Sequence, residues 1–180
     1  KLAAVVRGQA GAALPASHDA EQRPFAQAVA GWQVANIAAR LRPDLSDSST
    51  GEPMDGARLL FGYRAPDGAF VAEPGPGAGE LFVDPAATSG LPGMRVPHVA
   101  LHRNGIPVSP GVFDALGLQA VVHKVGPDGL LDPGGAWATA SGLGPTGTVL
   151  VRPDGVVAWR TPGPAGAGEL DKTLRTVLAR

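Results

Sequence analysis

The side chains in this sequence that could bind a metal ion or act as nucleophiles are few and lie far apart. The four histidines stand at positions 18, 98, 102 and 123, and none of them forms an H-E-x-x-H or comparable metal spacing. There is no cysteine, which excludes disulfides, thiolate metal sites and a redox-active C-x-x-C pair. No G-x-S-x-G is present, and neither Ser109 nor Ser141 has a base motif nearby. The sequence therefore predicts neither a metal site nor a hydrolase.

A tyrosine and an arginine end the apolar run Leu59-Leu60-Phe61-Gly62-Tyr63-Arg64. The run predicts a buried strand, followed by a turn at 65–68 and a second strand at 69–71. We expect the charge of Arg64 to emerge at the end of the strand beside the hydroxyl of Tyr63, where it could orient an oxygen-bearing ligand. A surface arginine beside a buried tyrosine would give the same pattern, so both interpretations stay open.

The segment Gly75-Pro76-Gly77-Ala78-Gly79 has the glycine content of a phosphate-binding loop without its context. Its proline removes one amide donor, and no helix follows it to receive a pyrophosphate. Together with Pro74 it predicts a linker, and we expect a boundary between two parts of the chain close after it. Flavin or nucleotide binding does not follow from these residues.

Composition limits the class of protein. The 180 residues carry a net charge of −1, which gives no electrostatic reason to expect nucleic acid or an anionic membrane as a partner. The 26 glycines and 18 prolines are spread between apolar segments and indicate a loop-rich globular protein. No apolar run approaches the roughly 20 residues of a membrane span, so a cytoplasmic protein is expected. The chain starts with lysine inside a helical pattern, which indicates a piece of a longer polypeptide.

The periodicity predicts helices in the first part and alternating α and β elements in the second. A short helix at 1–7 and one or two amphipathic helices ending near Leu41 precede a polar loop at 44–53. Strands are expected near 98–101 and 119–125, with a helix at 109–116 between them. Arg152-Pro153-Asp154-Gly155 predicts the turn of a hairpin over 149–160, and an amphipathic helix is expected at 169–178. By itself this pattern indicates an α/β sandwich.

Three segments carry a resemblance to a known family. They are V-L-V-R-P-D-G-V-V-A-W-R at 149–160, P-G-M-R-V-P-H-V-A-L at 92–101 and K-L-A-A-V-V-R-G-Q-A-G at 1–11. In this order they resemble the C-terminal part of the FAD-dependent aromatic and polyketide hydroxylases, the single-component flavoprotein monooxygenases related to phenol hydroxylase. The chain departs from the family's L-x-x-Y-x-x-E-R-R-P segment, where it has His18 for tyrosine and Gln22 for the first arginine.

The resemblance implies a fold and a function. Residues 1–79 would be the C-terminal segment of the FAD- and substrate-binding part, with helices and a β-hairpin, and residues 80–180 a thioredoxin-like α/β domain lacking C-x-x-C. The family uses NADPH to reduce FAD and oxygen to hydroxylate an aromatic substrate. Tyr63 and Arg64 would then contact substrate, while FAD would be bound mainly by an N-terminal portion absent from this sequence. Homo-oligomerisation is left open, and the alternative is a non-catalytic, redox-dead thioredoxin-like association module.

Overall fold

The computed structural model describes residues 1–41, 55–74, 79–87, 90–103, 106–108, 124–126 and 128–180. Some sequence predictions lie outside these ranges: the polar loop at 44–53, the helix at 109–116 and most of the strand at 119–125. Only the two ends of the linker at 74–79 are described.

The N-terminal part is helical, as predicted. Helix α1 (Leu2–Val6) ends where Gly8 adopts a φ of 70°, a conformation that glycine reaches without steric cost. A 3-10 turn (Leu14–Ala16) then leads into α2 (Ser17–Leu41), with the Ser17 hydroxyl donating to the Leu14 carbonyl at 2.7 Å. Since α2 is continuous over 25 residues, the one or two helices expected here are one.

The strand predicted at 59–64 is wrong, because residues 56–61 form helix α3 (Gly56–Phe61). The Asp55 side chain caps this helix by accepting from the amide of Ala57 at 3.3 Å. A short apolar run can form either a helix or a strand, and here the Asp55 cap favours the helix. The strand predicted at 69–71 is also absent; instead, the Val71 amide donates to the Ala158 carbonyl at 2.8 Å.

The strand expected at 98–101 starts later than predicted. Strand β1 (Leu101–Arg103) pairs antiparallel with β2 (Ile106–Val108), and Leu101 lies opposite Val108. Residues 96–100 have no regular structure. Helix α4 (Ala136–Ser141) was not predicted; the Asp132 carboxylate accepts from the amides of Trp137 and Ala138 at its start.

The predicted hairpin is confirmed. Strands β3 (Thr148–Val151) and β4 (Val157–Thr161) are antiparallel, and Leu150 faces Trp159. On another side of β4, Val157 accepts from the Gly93 amide and donates to the Met94 carbonyl. Its backbone is therefore bonded to more than its hairpin partner, which agrees with the complete burial of Val157 and Ala158.

The C-terminal helix α5 (Glu169–Val177) is confirmed, with Val177 buried and the leucines on the same side half-buried. Its buried face joins one apolar cluster drawn from α1, the 3-10 turn, the hairpin and α5, whose buried members are Ala4, Ala10, Leu14, Ala69, Ala158 and Val177. This core draws residues from both sides of residue 79. The division into 1–79 and 80–180 stays a prediction.

The mixed helix and sheet class is confirmed. The strand–helix–strand order of a thioredoxin-like domain includes residues 109–123, which lie outside the described ranges, so that finer assignment stays a prediction.

The hairpin turn offers a test. Gly155 has a φ of 79°, where a β-branched side chain is strained, so Gly155→Val should lower the free energy of unfolding by about 1 kcal/mol or more. Gly155→Asn should cost less, because asparagine tolerates this conformation. Gly134→Val is the control, since no atom lies within 4 Å of a Cβ built there. Equal denaturation midpoints for the two valine variants would contradict the prediction.

Candidate functional site

The carboxylate of Glu21 is buried and is contacted by several segments of the chain. It lies in the first part of α2 and is the only buried residue of that helix, with 5% of its surface exposed. Arg152 binds it with both terminal nitrogens, at 2.7 and 2.9 Å. The Lys1 ammonium lies 2.7 Å from the same carboxylate, and the Ala69 amide donates to it at 2.8 Å. Glu21 therefore ties α2 to the chain start, the 69 loop and the hairpin turn.

Arg152 is oriented by the turn in which it lies. Its guanidinium is almost fully buried and also forms an ion pair with Asp154, two residues further along. A planar guanidinium suits this two-point binding to a carboxylate, which a lysine would not reproduce. The turn sequence Arg-Pro-Asp-Gly thus supplies both the bend and the ion pair.

The environment of Glu21 keeps it ionised. Burial by itself would raise the pKa of this carboxyl, but the hydrogen bonds from Arg152, Lys1 and the Ala69 amide outweigh burial and lower the pKa to about 2. A carboxyl with so low a pKa holds no proton to exchange near neutral pH. We therefore assign Glu21 to structure and not to acid–base catalysis.

A glycine makes room for this carboxylate. A Cβ built on Gly68 would lie 2.3 Å from Cγ of Glu21 and 2.5 Å from one of its carboxylate oxygens. The predicted turn at 65–68 overlaps a bend at 66–70, and its glycine lets the loop approach Glu21.

Tyr63 is held by an aromatic cluster and by the backbone of α2. Its hydroxyl donates to the carbonyl of Glu21, and its ring meets Phe25 edge-on at 5.1 Å and Phe82 at 5.6 Å. Burial raises the pKa of the phenol, which stays protonated at neutral pH. The ring lines a first cleft of about 200 Å³, whose other walls include Phe25, Phe61 and Arg95.

Arg64 is buried, with 8% of its surface exposed, so the expectation that its charge emerges at a strand end is wrong. Its backbone bridges to Met94, and this places the side chain inside the fold. One terminal nitrogen donates to the Glu73 carbonyl at 3.1 Å, whereas the other is buried without a hydrogen-bond partner. Arg64 lines a second cleft of about 380 Å³, together with Phe70, Glu73 and Leu81 among others.

The two predicted site residues therefore do not share a cleft. Tyr63 lines the first cleft and Arg64 the second, while Ala65 lines both. Successive side chains of an extended backbone point to opposite sides, which accounts for the separation.

A second ion pair, partly exposed on its carboxylate side, was not predicted from the sequence. Arg160 donates to both carboxylate oxygens of Glu73, at 2.7 and 2.9 Å, and to the Ser141 carbonyl at 2.8 Å. Glu73 is thus held through its side chain by Arg160 and through its carbonyl by Arg64. The arginine of the V-A-W-R segment was the available signal, but its partner lies 87 residues away.

Metal-binding and membrane-spanning features were also sought. Among the described residues, no three His, Asp or Glu side chains are grouped so that they could hold a metal ion. His98 is exposed. Within the same ranges, no helix has the length and apolar character needed to cross a membrane.

Comparison with known proteins identifies the family. Residues 119–180 match the family model for the aromatic-ring hydroxylase C-terminal domain. The whole chain is 34% identical over 209 residues to aklavinone 12-hydroxylase of Streptomyces purpurascens, covering 38% of it. It is also 37% identical over 219 residues to tetracenomycin A2 monooxygenase-dioxygenase of Streptomyces glaucescens, covering all of the chain and 36% of that protein. The chain belongs to the aromatic-ring hydroxylases.

A solved hydroxylase structure agrees with this assignment. The crystal structure of aklavinone-11 hydroxylase in a ternary complex with FAD and aklavinone superposes with a TM-score of 0.84 at 32% identity, over 99% of this chain and 38% of that one. The chain therefore spans less than two fifths of the length of these three hydroxylases, and its residues 119–180 match the C-terminal domain of the family.

The described residues of this hydroxylase chain do not suit a dinucleotide cofactor. Neither cleft is lined by a glycine-rich loop at the start of a helix, the arrangement that binds a pyrophosphate. With about 200 and 380 Å³, the two clefts fall below or near the lower end of the usual range for ligand pockets. Binding of FAD mainly by sequence outside this chain stays our prediction.

The Glu21–Arg152 pair gives the second test. Glu21→Gln should lower the free energy of unfolding at pH 7 by about 2–4 kcal/mol, because it leaves the buried Lys1 ammonium without its counter-charge and leaves Arg152 with only the more exposed carboxylate of Asp154. The pKa of Glu21 is lowered from 4.5 to about 2, so its stabilising effect is complete above pH 4.5 and is lost as the pH falls towards 2. The difference between the native protein and the variant should shrink over that window, measured by denaturant unfolding at several pH values.

Asp19→Asn is the matched control on the same helix. Asp19 pairs with Arg23 in solvent, with both side chains more than half exposed, so its loss should cost under about 1 kcal/mol. If Glu21→Gln costs no more than Asp19→Asn, or if its cost does not change with pH, Glu21 is not the anchor described here.

Proposed function

We propose that this chain is the C-terminal part of a FAD-dependent monooxygenase that uses NADPH and oxygen to hydroxylate an aromatic polyketide or a related phenol. The observation that carries the proposal is the match of the whole chain, in sequence and in fold, to enzymes named for aklavinone and tetracenomycin A2. FAD, when bound, supplies the activation of oxygen. The residues of this chain position the substrate and help to enclose it.

Arg64 is the residue we assign to the substrate. It has a buried nitrogen without a hydrogen-bond partner, which is an unfavourable arrangement unless a further acceptor is supplied. The second cleft, which Arg64 lines, also has apolar walls at Phe70 and Leu81. A guanidinium in such surroundings is suited to donate to a phenolate or quinone oxygen of an aromatic ligand.

Tyr63 would contribute differently. Its hydroxyl is already used to donate to the Glu21 carbonyl, so we assign any contact with substrate to its ring. The ring lies between Phe25 and Phe82 and is fixed by them, which gives the first cleft a firm aromatic wall.

The third test concerns the cofactor. We expect the 180-residue chain alone neither to bind FAD nor to oxidise NADPH, because its described clefts lack a pyrophosphate-binding loop. Flavin absorbance of the purified chain after incubation with FAD, and the rate of NADPH consumption, measure this. Yellow protein with one flavin per chain would refute it.

The fourth test concerns Arg64. In the complete enzyme, Arg64→Ala should lower kcat/KM for hydroxylation by roughly tenfold to a hundredfold, because a charge-assisted hydrogen bond contributes about 1.5–3 kcal/mol. FAD content should stay close to that of the native enzyme, whereas the melting temperature should fall modestly because the hydrogen bond to the Glu73 carbonyl is lost. Hydroxylation rate, flavin absorbance and melting temperature are the three measurements.

Arg58→Ala is the matched control for this test. Arg58 also donates from its guanidinium to a backbone carbonyl, that of Phe82, but it lines neither cleft. Its loss should leave hydroxylation unchanged. Full activity of Arg64→Ala would show that Arg64 does not contact the substrate. A loss of activity that only follows the fall in melting temperature, as it would in a destabilised Arg58→Ala variant, would show that Arg64 is structural.

A further inference from the structure

The second half of α2 presents an apolar face to solvent. Val34, Ile37 and Leu41 are 66%, 56% and 74% exposed, and their spacing of three and four residues puts them on one side of the helix. We call these three residues the α2 apolar face. A helix side that faces water is ordinarily polar, and Arg40 is the only charged residue between Phe25 and Leu41.

The exposed apolar residues are distributed unevenly. Seven of the eight large hydrophobic residues described as exposed lie in the first 61 residues, on α1, α2 and α3: Leu2, Val6, Val34, Ile37, Leu41, Leu60 and Phe61. The hairpin and α5 contribute none among the described residues. Isolated exposed leucines are common on protein surfaces, but a concentration on consecutive helices indicates a surface that another body covers.

We propose that the α2 apolar face docks on the flavin-binding portion of the same enzyme. The relatives extend well beyond the matched region, since this chain covers only 38% of aklavinone 12-hydroxylase. The part of that relative outside the match is therefore large enough to cover several helices. This inference rests on the proposed function, because it takes that portion to be the flavin-binding one.

The physical consequence is a contrast between two proteins. In the 180-residue chain more than half of each side chain in the α2 apolar face is in water, so a charge placed there stays largely hydrated. In the complete enzyme the same charge would be buried at the contact without a partner, which is unfavourable.

The experiment compares Ile37→Glu with Arg40→Gln in both the 180-residue chain and the complete enzyme. Both substitutions change the net charge by −1, and Arg40 is an already charged position on the same helix. We expect Ile37→Glu to leave the melting temperature of the chain within about 1 °C of native and to lower that of the complete enzyme by about 5 °C or more. Arg40→Gln should leave both unchanged. Ile37→Ser, a milder change, gives the same comparison if the glutamate variant of the complete enzyme is not recovered folded.

Three results would overturn the proposal. Equal destabilisation of the chain and the complete enzyme would mean that Ile37 packs within this chain. No destabilisation of either would mean that the face stays in water. If sedimentation shows that the isolated chain is a dimer which Ile37→Glu converts to a monomer, the occupant is a second copy. The flavin content of the native complete enzyme is measured separately: an enzyme without flavin would refute the proposed function, while the difference in melting temperature still reports whether the face is covered.

Discussion

The fold depends on the buried carboxylate of Glu21, whose burial would be strongly unfavourable without partners. An ionised side chain removed from water is costly unless opposite charge and hydrogen bonds replace the water, and Glu21 has two cations and a backbone amide around it. Each donor comes from a different place in the chain: residue 1, residue 69 and residue 152. The requirement to satisfy Glu21 therefore fixes where the chain start, the 69 loop and the hairpin turn meet α2.

The neighbouring features follow from that constraint. The 69 loop reaches the carboxylate only because position 68 is a glycine, and the hairpin reaches it only because its turn begins with an arginine. The backbone carbonyl of the same residue, Glu21, accepts from the Tyr63 hydroxyl, and the Tyr63 ring packs with Phe25 and Phe82. One residue thus organises both the ionic and the aromatic contacts around the first cleft.

The sequence predicted correctly those helices and strands whose determining residues lie close together in the chain. The hairpin was predictable because its turn tetrad and its β-branched strands lie within twelve residues, and α5 because its apolar residues recur at helical spacing. The strand predicted at 59–64 was wrong because Leu59-Leu60-Phe61 suits either structure, and the feature that favours the helix is the cap at Asp55, four residues before this run. Helix α4 depends on Asp132, four residues before it starts, and was missed.

The contacts that define the candidate site were not predictable in the same way. Glu21 and Arg152 are 131 residues apart, and Glu73 and Arg160 are 87 apart, so no window of sequence contains both partners. Arg64 was singled out by its neighbours in sequence, yet its environment is set by Met94 and Glu73 across the fold. The sequence around Arg64 identifies it as a candidate residue, but its burial depends on residues that are distant in sequence.

These contacts also indicate what this part of a hydroxylase is able to contribute. Glu21 is ionised down to a pH of about 2, and the raised pKa of Tyr63 keeps its phenol protonated, so neither exchanges a proton readily near neutral pH. What they provide is rigidity, because each is held by several segments at once. Arg64, on the second cleft, has one guanidinium nitrogen without a hydrogen-bond partner, and under the proposed function this cation would orient an oxygen-bearing ring without taking part in proton transfer. The proposed function accordingly assigns the positioning of the substrate to this part of the enzyme and the oxidation to the flavin-binding portion.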